Sequence, residues 1–410
     1  MRKIAWALLL LFVFAIPWEY SLDLGEPLGN VARIAGLLVL LAAVPALLHA
    51  GRLRTPGAMQ WMALALYLWF CLTCFWTMEP AATLSRMRGF FQEMMLVWLV
   101  WEFAESPEDL RSLMRAYVAG AWVLALLTLA NLGSAEAVAA EQIRFVAQGQ
   151  DPNDVARYLD LGLPLAALLA ACERRWPARL LALGYLPLGL VAVVLTASRG
   201  GFLAAAVALA GCAWLLGRSQ PRLALAGAAS LPLLAAALWF SVPRETLERL
   251  ATIPSQLQSG DLNQRLNIWS AGWTAFQRAP LAGSGAGSFV SAAGMNPLDT
   301  AHNTALSIVV GGGLIALSLA MAILVLAARA ALTTRGPLRL ALGTVLLVLL
   351  VAAQVDTVEE NRVTWLLLGI MALAGRLAAT EPTQSAKCFA AGASDAESAE
   401  LAHLHASPAG

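Results

Sequence analysis

The sequence predicts an all-α polytopic membrane protein with about 12 transmembrane helices and one long helical loop on a single side. Three observations predict it. Of 410 residues, 59% are hydrophobic and only 13% charged, whereas average proteins carry roughly 25% charged residues. Mean hydropathy is +0.69. Apolar runs long enough to cross a bilayer, roughly 17–25 residues each, recur along the whole chain, and one polar interruption, residues 241–301, exceeds all the others between them. A net charge of +1 argues against nucleic acid as a partner.

Taken in order, the twelve runs centre on residues 4–20, 30–50, 58–77, 89–104, 113–133, 155–172, 180–197, 201–217, 223–240, 303–328, 338–356 and 362–378. The first, Ile4–Trp18, has no clear small-residue cleavage site after it and reads as a retained span. Cations sort the links. With the N-terminus in the cytoplasm, sixteen of the 27 Lys and Arg residues fall inside, in short basic links such as GRLR, ERRWPAR and RSQPR. Four of the outer arginines sit in the one long loop, where the rule is weak. Both termini are then cytoplasmic and residues 241–301 lie outside. Residues 1–380 form the membrane domain. The tail, 381–410, is rich in Ala, Ser and Glu without periodicity and is expected to be disordered.

The outer links carry the candidate chemistry. SRMRGF, residues 85–90, precedes the fourth run. Arg86 and Arg88 are two apart and do not share a helix face, so Arg88, nearer the membrane, is the one expected to face inward. Arg144 lies in IRFVAQGQDPNDVARYLD, where the DPN turn leads into the sixth run with Asn153 or Asp154 as cap. SRGG places Arg199 at a helix start with Ser198 as cap, an arrangement suited to an anion; a tight glycine turn with a snorkelling arginine fits equally. In the long loop, DLNQRLNIWSAGWTAFQRAP reads as an amphipathic surface helix. Asp261 and Gln264 resemble a capping box. Trp269, Trp273 and Phe276 share a face, Arg265 lies one turn before Trp269, and Ala279–Pro280 ends the helix. Arg244, Arg249 and Arg278 read as solvated.

His302 is the only outer histidine of four. With Thr300 as cap it would occupy the first turn of the tenth run, where the helix dipole favours a neutral imidazole able to act as a general base. Taken alone, a histidine that merely anchors the helix end is the commoner arrangement. GSGAG at 283–287 lacks the strand and the Lys-Ser/Thr of a phosphate loop and reads as a flexible loop. Gly311–Gly313 suits close helix packing. Cys71 and Cys74 form a CxxC inside a run and read as small buried residues. No HExxH, DxD or Cys/His cluster occurs on the outer side, so no metal is expected. No nucleotide motif occurs either. A reaction there needs a donor that is already activated, and a lipid-linked diphosphate glycan fits.

SRGG after one run, RLNIWSAGWTAFQRAPLAGSGAGSF in the loop and HNTALSIVVGGGLIAL opening the next run resemble the O-antigen ligase/polymerase superfamily over roughly residues 140–330. The resemblance implies a GT-C-like glycosyltransferase of the bacterial inner membrane. It would move polysaccharide from undecaprenyl diphosphate to lipid A–core at the periplasmic face, without metal or other cofactor. It makes His302 and Arg265 catalytic and gives Arg199 and Arg265 to the diphosphate; Arg88 and Arg144 join them by position. A polymerase or protein O-oligosaccharyltransferase of the same superfamily shares the donor. A transporter would need a site at mid-membrane, and the acidic residues Glu93, Asp160 and Asp356 lie near the outer run ends instead.

Overall fold

The computed structural model describes residues 1–22, 24–25, 29–134, 143–259, 264–296, 300–380 and 389. It is all-α among those residues. The long helices are α1 (Arg2–Ala15), α2 (Val31–Ala50), α3 (Ala58–Leu72), α4 (Pro80–Phe103), α5 (Pro107–Leu132), α6 (Pro152–Cys172), α7 (Trp176–Leu195), α8 (Arg199–Ser219) and α9 (Pro221–Ser241). Four short helices follow in the long loop: α10 (Arg244–Ala251), α11 (Ile253–Ser259), α12 (Arg265–Arg278) and α13 (Phe289–Ala293). The chain ends in α14 (Thr304–Thr333), α15 (Gly336–Ala353) and α16 (Arg362–Thr380). The protein is a polytopic membrane protein: among the described residues eleven helices are long and apolar enough to cross a bilayer. The expected count was twelve. The difference is α4, which is long enough, but Arg86, Arg88 and Glu93 interrupt its apolar stretch. It starts nine residues before the predicted run because Pro80 sits in its first turn, where proline is favoured. SRMRGF is therefore part of the helix, not a link before it.

The core is built around α6, whose residues from Val155 to Cys172 are all buried. It packs on α5, α7, α8 and α15. Asp160 lies at its middle rather than near its outer end, fully buried, with no hydrogen-bond partner for either carboxylate oxygen. At the other extreme α9 buries no residue and leans on α8.

The helix ends sort into two sets. Arg2 reaches Glu102 and Glu105 at 3.3 and 2.7 Å. The Arg54 amide donates to Glu102 at 2.8 Å, and Arg376 donates to the Trp101 carbonyl at 2.8 Å. These residues come from links predicted to share one side. At the opposite end Arg362 pairs with Glu19, and Arg86 with Glu360. The alternation of links read from the sequence is thus present in the bundle.

α14 is not continuous. Gly313 takes φ 67°, ψ −168° inside it, a conformation almost confined to glycine. The break lies about 13 Å along the helix from its start, and it frees carbonyls that a bilayer cannot satisfy. The GSGAG segment supplies the partners. Ser284 and Gly285 amides donate to Val310 and Gly311 carbonyls at 2.8 and 2.9 Å, and Trp69 Nε1 donates to Gly312 at 2.8 Å. In return Leu314 donates to Pro280 at 2.9 Å. A Cβ on Gly313 would stand 2.1 Å from the Leu281 carbonyl oxygen. The glycine run does serve close packing, but of a loop into a broken helix. GSGAG is accordingly pinned, not flexible.

Three further expectations are revised. Cys74 is exposed and Cys71 half-buried, not buried; the apolar run outlasts α3, and Cys74 falls in the 3₁₀ turn after it. Cys388 and the tail lie outside the described residues except Phe389, which is buried, its carbonyl accepting from Cys172 Sγ at 3.1 Å. The Asp261 half of the expected capping box also lies outside them. Gln264, expected inside the helix, is its N-cap residue, at φ 62°.

Gly313→Ala is expected to lower the thermal midpoint in detergent sharply, because backbone strain of about 1–3 kcal/mol adds to the clash. Gly343→Ala, in α15 with open space at its Cβ, is expected to be neutral or stabilising. Equal midpoints would contradict the strained break.

Candidate active site

A cavity of about 880 Å³ opens at the end of the bundle that carries the long loop. The α7–α8 turn is its scaffold. Ser198 caps α8, accepting from the Gly201 amide at 3.1 Å, as expected. Its hydroxyl donates to Asn153 Oδ1 at 2.8 Å. The glycines of SRGG permit the approach of neighbouring helices: a Cβ on Gly201 would lie 2.3 Å from that of Ala156, and one on Gly200 2.8 Å from Val355 Cγ2. The outward carbonyls of the turn then hold two arginines. Arg144 Nε donates to Thr196 at 3.2 Å and Arg249 Nε to Ala197 at 3.2 Å.

Asp151, not Asn153 or Asp154, caps α6, accepting from the Asn153 and Asp154 amides. Pro152, favoured in the first turn, puts the cap two positions before Asn153 and three before Asp154. Asn153 is thereby released to receive Arg144 Nη2 at 3.2 Å as well as Ser198.

Arg199 and Arg265 each begin a helix, α8 and α12, and both line the cavity. Trp269, one turn after Arg265, lines it too, and its Nε1 donates to the Ala301 carbonyl at 3.2 Å. α12 buries a neighbouring stripe, Ile268, Gly272 and Ala275, and packs on α13 and α14. Trp273 stays exposed, 5.1 Å from the Phe276 ring between centroids. As expected, the helix ends at Arg278, before Ala279–Pro280.

His302 lines the cavity from outside α14, not from its first turn. Asn303 is the cap, accepting from the Leu306 amide at 2.9 Å, and His302 has φ 45°, which a helix cannot accommodate. Asn outranks a more distant Thr as cap because its side chain reaches the third amide directly.

The structure thus brings His302, Arg265, Arg199 and Arg144 to one cavity. It does not bring Arg88, which is exposed. Arg86 faces the cavity instead and is ion-paired to Glu360; on the helix that continues through this segment, nearness to the membrane does not decide which residue turns inward. Arg249, read as solvated, also lines the cavity. Its signal was the amphipathic stretch RETLERLA, where Thr246 and Leu250 are buried and Arg249 lies between their turns. Asp154 and Asp356 line the cavity but are ion-paired to the buried Arg157.

The result is an imbalance. Arg199, Arg249 and Arg265 have no carboxylate within ion-pair distance among the described residues, and Arg199 Nε is buried without a hydrogen-bond partner. Burial holds Arg265 and Arg249 below the usual arginine range, and Arg199 adds to it in both; Asp356 opposes it at Arg265. Burial lowers Arg144 too, with repulsion from Arg249 adding to it. Guanidiniums remain charged under such shifts. Crowded, half-buried and still charged, they form a site for an anion with several oxygens. Among the described residues no cluster of three or more His, Cys, Asp or Glu is placed to hold a metal ion.

Inorganic pyrophosphate titrated onto the purified protein is expected to bind, and Arg249→Ala to weaken it about tenfold or more, from about 1.5–3 kcal/mol for a charge-assisted bond. Arg244→Ala, exposed on the same helix, is expected to leave the affinity as it is. The reverse order would remove Arg249 from the site.

No curated protein matches the chain. Residues 184–321 match the family model described as O-Antigen ligase. That stretch carries Arg199, Arg249, Arg265 and His302 to the cavity, together with the break in α14. Through residues 184–321 the chain is therefore similar to the O-antigen ligase family.

Proposed function

We propose that this protein is an O-antigen ligase. It would transfer polysaccharide from undecaprenyl diphosphate to a sugar hydroxyl of lipid A–core, at the periplasmic face of a Gram-negative inner membrane with both termini cytoplasmic. The observation that carries the reading is the convergence of Arg144, Arg199, Arg249 and Arg265 with His302 on one cavity. The family match supports the donor class.

In this reading Arg265 and Arg199 bind the diphosphate, and Arg144 and Arg249 complete the cradle in place of Arg88. Their charges are preorganised and offset the negative charge that builds on the leaving diphosphate as the anomeric C–O bond breaks. His302 takes the proton of the acceptor hydroxyl. That oxygen attacks the anomeric carbon from the side opposite the leaving group, so the new bond has inverted configuration. No step needs ATP, because the donor's diphosphate is the leaving group. A position at the bundle end suits a lipid-anchored donor better than a transported solute.

His302→Ala, assayed with purified lipid-linked donor and lipid A–core, is expected to lose about 10²–10⁴ in kcat. Near-normal transfer would remove His302 as the base. Arg265→Lys is expected to raise the donor KM, since a lysine cannot form the forked pair; unchanged KM would exclude bidentate binding. Offering lipid A–core, a second lipid-linked repeat and a protein acceptor side by side separates ligase from polymerase and from protein O-oligosaccharyltransferase. Product on lipid A–core is the expected outcome.

A further inference from the structure

His302 sits at φ 45°, a left-handed conformation that a residue with a Cβ rarely adopts. Such a backbone persists only where its surroundings over-determine it. The restraints are on either side of it. Before it, the Ala301 carbonyl accepts from Trp269 Nε1 at 3.2 Å. After it, Asn303 caps α14 and its Nδ2 donates to the Gln354 carbonyl at 3.4 Å. Thr304 makes the strongest tie. Its hydroxyl donates to the Asp356 carbonyl at 2.8 Å and accepts from the Val358 amide at 2.9 Å.

The loop that Thr304 grips is itself anchored. One carboxylate oxygen of Asp356 accepts from the Thr357 amide at 2.9 Å, and the other pairs with Arg157 Nη1. Arg157 is 2% exposed and uses its other terminal nitrogen on Asp154. It belongs to α6, the most deeply buried helix. A buried ion pair of this kind adds little net stability, but its fork sets the distance between α6 and the 354–358 loop.

We infer that Arg157 and Thr304 are positioning residues: the chain Arg157–Asp356–Thr304 refers the His302 backbone to the rigid centre of the bundle. The inference rests on the reading of His302 as the base, but the position of residues 300–306 can be measured without it. Neither residue need touch the reacting atoms. Thr304 is turned onto the 356–358 loop, and Arg157 does not line the large cavity, whereas its partners Asp154 and Asp356 do.

Thr304→Val keeps the shape and removes both hydrogen bonds; Thr304→Ser keeps the hydroxyl. With lipid-linked donor and lipid A–core, Thr304→Val is expected to lower kcat about 10–100-fold, the scale of a misplacement near 1 Å, with donor KM unchanged. Thr304→Ser is expected to restore kcat. Arg157→Lys retains charge without the fork and is expected to lower kcat in the same way. Hydrogen–deuterium exchange at residues 300–306 is expected to rise in Thr304→Val and Arg157→Lys and to stay native in Thr304→Ser. Native exchange there in Thr304→Val and Arg157→Lys would overturn the inference, as would loss of donor binding in place of kcat. If His302→Ala transfers normally, the base assignment fails, and the exchange data alone decide the positioning.

Discussion

A bilayer offers backbone amides and carbonyls no water, so every break in a helix inside it must be repaired by protein. That constraint shapes the functional end of this molecule. The break in α14 at Gly313 frees carbonyls that accept from the Ser284 and Gly285 amides of the Pro280–Ala286 segment and from Trp69. The same segment is held from the other side: Thr83 Oγ1 donates to the Ala286 carbonyl at 2.7 Å, and the Ala286 amide donates to Thr73 Oγ1 at 3.1 Å. Because it leads directly out of α12, its anchoring settles where α12 ends and hence where Arg265 begins it. A glycine run in one helix and a glycine run in a loop thus hold the long loop between them.

The second constraint is electrostatic. Five arginines line a half-buried cavity, and they pay for their proximity in repulsion that nearby carboxylates relieve unevenly. Arg86 and Arg157 are each matched by acids, whereas Arg199, Arg249 and Arg265 are not. The matched ones build walls and the unmatched ones wait for charge from a ligand. Burial weakens water's competition for them, so an anion with several oxygens would meet donors already oriented.

Fold class, the helical character of the long loop and the cap at Ser198 were legible because each has a local signature: hydropathy, period and capping chemistry. Arg199, Arg265 and His302 were singled out by the motifs that carry the resemblance, and the fold brings all three to one cavity. Arg249 was not, since whether an arginine on an amphipathic helix turns to water or to a cavity depends on what the α7–α8 turn presents, and the Ala197 carbonyl that holds it is some 50 positions away. Arg88 and Arg86 were exchanged for a similar reason. The helix began earlier than its apolar run, and a two-residue offset reverses the face. The break in α14 was hidden because a glycine triplet fits close packing and chain rupture equally well, and only the partner loop distinguishes them. Asp356 gave no signal, as its role comes from α6 and α14 meeting over it.

The lipid-facing helix α9 places an unusual demand on its own sequence. It buries none of its residues and rests mainly on α8, with Leu238 against the Val194 and Leu195 cluster, so what the fold asks of it is span and greasiness, not side-chain identity. Its work is to return the chain across the bilayer so that α10 to α12 emerge on the cavity's side. An apolar exchange along it leaves the return journey the same length, while a single methyl added at Gly313 would press on the Leu281 carbonyl oxygen.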